Sequence, residues 1–147
     1  MTTVHATVAV LTITLTASAL LIGAWCYWRV RTTAWFWRVL RASQVAVIVQ
    51  VALGGVLVAL CHKPPGLHVL YGVLPLFVSL IAEQLRAASA QTVLDGRGFA
   101  SAQEVGTLPA DEQQVIVASI LQREIVVMTL AALVNTVLLA RAAATSG

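Results

Sequence analysis

Histidine and cysteine are the side chains in this sequence best suited to hold a metal or a haem iron, and they fall in a suggestive pattern. Cys61 and His62 are adjacent, His68 follows after a Pro-Pro-Gly turn, and Tyr71 lies one helical turn further on. His5 stands near the N-terminus. Thiolate and imidazole suit soft or borderline cations, and two histidines from facing helices can ligate a haem iron axially. His68, His5, His62, Cys61 and Tyr71 are therefore the candidate cofactor or metal residues. The spacing C-H-x5-H matches no established zinc signature, however, and histidines at a membrane surface tolerate both water and lipid without any ligand.

A second group is charged. Glu83, Gln84 and Arg86 lie together in one apolar stretch, and Arg123 and Glu124 in another. Helix rise counted from the opposite end puts both groups at one depth, so Glu83, Arg86, Arg123 and Glu124 are expected to form a charge network near a membrane interface. Buried charges need partners, which gives the network a structural role; a proton or cation path is the functional alternative. Gln50 and Asn135 are the polar residues set deepest in apolar segments, where an amide seeks a partner across a helix interface or a ligand such as a quinone. Thr12, Thr14, Thr16 and Ser18 can return their hydroxyls to the backbone of their own helix. Neither a P-loop nor G-x-G-x-x-G occurs, and no hydrolytic triad or H-E-x-x-H is present, so the sequence supports no catalytic residues.

The elements that must position these groups are set by composition. Of 147 residues, 59% are hydrophobic and 10% charged, against about 25% charged in ordinary soluble domains. The mean hydropathy is +0.89. Spanning a bilayer takes about 20 mostly apolar residues, and four stretches qualify: about 7–27, 39–61, 67–88 and 120–141. The expected fold is an all-α, four-helix membrane bundle in a single domain. Pro64-Pro65-Gly66 separates the second span from the third. Gly96 and Gly98 suit the end of the third helix. An irregular loop is expected over about 95–110, and a helical approach to the last span from about Ala110, with Asp111 and Glu112 at its positive dipole end.

Arginine placement sets the orientation. Arg29, Arg31, Arg38, Arg41, Arg86, Arg97 and Arg123 map to one side, and only Lys63 and Arg141 to the other. The expectation is a multi-pass protein of the cell membrane with both termini outside. Trp25, Trp28, Trp35 and Trp37 flank the first inner link, where indole rings anchor at the headgroup level. Ala17-Ser18-Ala19 resembles a cleavage box, but no basic segment precedes the apolar stretch, so a signal peptide is not expected. Cys26 and Cys61 fall on opposite faces, roughly 25–30 Å apart by helix rise, too far for a disulfide within one chain.

The net charge of +3 comes without a basic run, so anionic lipids at the inner leaflet, rather than nucleic acid, are the expected charged partners. The preference for Arg over Lys and the wealth of Ala, Val and Leu suit a GC-rich bacterial genome. The functional expectation is a non-catalytic helical bundle that oligomerises or binds a partner in a membrane complex. The alternatives are a redox bundle holding haem, a metal or a quinone, and a small transporter or channel.

Overall fold

The computed structural model describes residues 2–60 and 64–145. Among them, four long helices account for nearly all of the chain: α1 (Thr2–Arg29), α2 (Ala34–Ala59), α3 (Gly66–Asp95) and α5 (Ala110–Ala144), with a single turn, α4 (Ala102–Val105), between the last two. Each long helix is apolar and long enough to cross a membrane, and the chain is a multi-pass membrane protein. Cys61, His62 and Lys63 lie outside the described residues.

The helices run longer than the apolar segments alone predict. α1 begins at Thr2 and α2 at Ala34, several residues ahead of their apolar cores; α2 gains the turn carrying Trp35, Phe36 and Trp37, aromatic residues suited to the headgroup level. Thr33 caps α2 by accepting from the Trp35 amide at 3.3 Å. The 95–110 segment keeps its expected bounds between Asp95 and Ala110 but is more ordered than a free loop. Its turn is closed by Phe99 N–H donating to Leu94 O at 3.0 Å, with Gly98 at φ +80° supplying the left-handed residue that favours glycine. Gly96, by contrast, stays right-handed at φ −65°.

Successive helices are antiparallel and pack in a ring, α1 on α2, α2 on α3, α3 on α5 and α5 on α1, with α3 and α5 sharing the longest seam. One end of the ring carries His5, His68, the start of α1 and the end of α5, and is the histidine end; the other carries the α1–α2 link and is the arginine end. The core holds Ala19, Cys26, Phe36, Leu40, Ala82, Ile125, Met128 and Ala132. Small residues let helices approach closely: at Gly23 an added methyl would strike Thr129 Oγ1 and come within 2.7 Å of the Phe36 ring. The outer coat is inverted relative to a soluble bundle. Val10, Leu21, Phe77, Leu80, Leu130 and Val137 are all exposed, as lipid contact requires.

α3 and α5 overrun the other two helices at the arginine end. About 13 Å of α3 lies beyond Arg86 and about 21 Å of α5 beyond Glu124, by helix rise. This hairpin closes on its own small core, Leu94 with Val105 and Ile116.

Candidate functional site

The polar groups of the spans gather at three depths. At the arginine end, Glu83 of α3 is the hub. Its Oε1 accepts from Arg41 Nη1 and from Gln44 Nε2 at 2.9 Å, and its Oε2 from Arg86 Nε at 3.0 Å. Arg86 also reaches Glu124 Oε1 of α5 at 3.3 Å, and its guanidinium lies 5.8 Å from the centre of the Trp37 ring. Two acids and two arginines thus join α2, α3 and α5 in a charge-balanced cluster. Arg123 is exposed and stands apart from it, with no ion pair among the described residues. Adjacent helical residues point about 100° apart, so Glu124 and Arg123 cannot face the same partner.

Trp37 differs from the other three tryptophans. Trp25, Trp28 and Trp35 are exposed at the arginine end, where Arg29 and Arg38 stack on Trp28 and Trp35, each at 5.4 Å. Trp37 instead turns inward, edge-on to Phe36 with centroids 5.2 Å apart.

At the middle depth, Asn135 donates through Nδ2 to Ser79 Oγ at 3.0 Å, and Ser79 in turn donates to the carbonyl of Pro75 at 2.8 Å. Asn135 is 6% exposed, and its Oδ1 has no partner. Beside it lies a void of about 10 Å³ bordered by Thr16, Ser43, Gln44 and Ser79, space for no more than one water. The hydroxyls of Thr12, Thr14, Thr16 and Ser18 bond to carbonyls one turn back at 2.7–2.8 Å.

At the histidine end, His5 of α1 and His68 of α3 meet across the ring, with centroids 6.1 Å apart and planes at 63°. His68 Nδ1 lies 2.8 Å from the carbonyl of Ala142. A carbonyl only accepts, so Nδ1 carries a hydrogen, and the neutral tautomer compatible with this contact has its lone pair on Nε2. Gln50 Nε2 lies 3.2 Å from His5 Nε2; His5 Nδ1 and Gln50 Oε1 are buried without partners. Tyr71 is covered by Arg141 at 5.8 Å and does not join the imidazole pair. Cys61 and His62 fall outside the described residues. No group of three or more metal-ligating side chains occurs among those described.

Arg41, Gln44, Ser79 and Trp37 complete these clusters, and sequence reasoning had not placed them there. Arg41 and Gln44 sit one helical turn apart, a spacing that puts them on one face of α2; what the sequence lacks is the rotation that turns this face toward α3. The arrangement as a whole binds helices to one another and leaves a few unsatisfied atoms at the middle and at the histidine end. The chain matches no family model, no curated protein and no solved structure, so its geometry is the ground for any functional reading.

Proposed function

We propose that this protein is a non-catalytic membrane scaffold, set in the cell membrane with its arginine end in the cytosol, whose acidic α3–α5 hairpin docks the basic surface of a membrane-complex partner. The observation that carries the reading is the overrun of α3 and α5. A helix pair that continues past the interface network with its own small core is an ordered platform. Its charge leans acidic: Asp95, Glu104, Asp111 and Glu112 stand against Arg97 and, at its base, Arg123. Asp111 and Glu112 are exposed in the first turn of α5, and Val115 and Val117 are exposed just beyond them. Acidic residues around an apolar patch fit a partner with basic residues around an apolar one.

A photo-crosslinking residue at Val115 in native membranes tests this. The expected result is one dominant adduct with another protein, lost in Asp111→Lys/Glu112→Lys while the melting temperature of the bundle is unchanged. Adducts only with a second copy of the chain would replace docking by self-association, and no adduct at all would overturn the platform.

The imidazole pair supports a second reading, a bundle that holds a metal or haem between His5 and His68. His68 Nε2 is free to ligate, and its Nδ1–H is fixed by a backbone carbonyl, as in many metal-bound histidines. Ligation through His5 Nδ1 requires the Gln50 amide to turn so that its oxygen accepts from Nε2–H. Absorption spectra and metal analysis of the purified protein test this reading, with loss of the bound group in His68→Ala as the expected result; metal-free protein with no Soret band after haem addition would remove it.

A further inference from the structure

α5 outruns α1, and the mismatch opens a crevice at the arginine end. α1 stops at Arg29, while α5 continues past it toward Ala110. Between them lies a cavity of about 460 Å³, inside the about 300–1,000 Å³ range of small-molecule sites. Its wall is apolar where it meets the bundle, formed by Cys26, Val117, Leu121 and Ile125. Its rim is polar, with Thr32, Gln114 and Gln122.

Two observations give the crevice a charge preference. Residues 1–82 contain no acidic residue at all, so the α1–α2 link is cationic without local compensation. Of its arginines, Arg29 and Arg38 stack on tryptophans and Arg41 pairs with Glu83. Arg31 alone lines the crevice, and it has no ion pair or ring contact among the described residues. The residue before it, Val30, also lines the crevice and holds φ at +50°, a left-handed conformation that strains a β-branched residue. The strain is located where the chain turns to bring Arg31 to the rim.

We infer that this crevice binds one anionic phospholipid of the leaflet at the arginine end. The phosphate is held by Arg31, the glycerol by the polar rim, and the first methylenes lie on Leu121 and Ile125 with the rest of the chains in the bilayer. Asp111 and Glu112 flank the far end of the crevice, about 20 Å along α5 from Ile125, and repel the headgroup toward Arg31. The inference is independent of partner docking at the hairpin.

The test is native mass spectrometry of the full chain titrated with phosphatidylglycerol and with phosphatidylcholine of the same chains. One phosphatidylglycerol per chain is expected, retained about fivefold more tightly than phosphatidylcholine, the worth of one arginine near an anionic surface. Arg31→Gln should erase the preference and Arg29→Gln should keep it. Ala118→Trp, which fills the crevice, should abolish retention. Both Arg31 and Ala118 are exposed, so unchanged melting temperatures are expected and separate binding from folding. Phosphatidylglycerol binding that survives Arg31→Gln or Ala118→Trp, or that falls equally in Arg29→Gln, would overturn the site in favour of diffuse charge attraction. Displacement of the lipid by inorganic phosphate at the same concentration would assign the site to a free anion instead.

Discussion

Glu83 accepts three donors from two helices while its side chain is 26% exposed. Charge-assisted hydrogen bonds of this kind are worth more than neutral ones, but partial exposure screens them. Glu83→Gln is expected to lower stability in detergent by about 2 kcal/mol, and Arg41→Gln by only about 0.5 kcal/mol because Arg41 is half exposed. Thermal melts read both, and an unchanged midpoint in Glu83→Gln would remove the network's structural role. Gly23 gives a sharper contrast. Gly23→Ala should cost about 1–3 kcal/mol through overpacking against Thr129 and Phe36. Gly55→Ala should be neutral or slightly stabilising, since nothing lies within 4 Å of an added methyl there. At Asn135 two effects oppose. Asn135→Leu loses one hydrogen bond to Ser79 but also removes the unpartnered Oδ1, so a change of less than about 1 kcal/mol is expected. At this scale the sequence was legible by residue type and blind to rotation. It singled out Glu83, Arg86 and Glu124 because charge in an apolar run stands out, yet it grouped Arg123 with them because one residue of offset along a helix decides which way a side chain faces.

The four long helices were readable because hydrocarbon demands long apolar runs and Pro-Pro-Gly cannot continue one. Their ends were less so, since polar residues at an interface carry no penalty that marks where the helix stops. The 95–110 segment is the clearest case. Its glycines predicted irregular chain, whereas Leu94, Val105 and Ile116 draw it into a closed hairpin with a turn of helix inside it. That pairing is a contact between distant residues, which local propensity does not encode. The hairpin core is small and separate from the core of the spans. Ile116→Ala should therefore raise hydrogen exchange across residues 94–116 while leaving exchange in the spans unchanged. Equal effects in both regions would show that hairpin and bundle open as one unit.

For the molecule as a whole, the ring order leaves α1 and α3 on a diagonal, and the His5–His68 contact is what joins them at one end. At the other end Glu83 and Arg86 tie α3 to its ring neighbours α2 and α5 instead. Between these two polar clasps the bundle is held by close packing, with Ala19 and Thr12 fully buried, and by the single Asn135–Ser79 hydrogen bond. Substituted cysteines near Thr3, Ala100 and Ala144 should label with impermeant reagent from opposite sides: the first and last from outside intact cells, the middle one only after lysis. Labelling of all three from one side would break the proposed orientation.

The acid-free first 82 residues set an order of assembly. With α1 and α2 made but not α3, Arg41 has no carboxylate within residues 1–82 to pair with. Its partner Glu83 comes only with α3 and is shared there with Arg86, and the second acid, Glu124, comes with α5. Two cations therefore share one acid until the last helix supplies the second. The pairing of Arg41 thus depends on a helix made after its own, and no carboxylate of the first hairpin can stand in for Glu83.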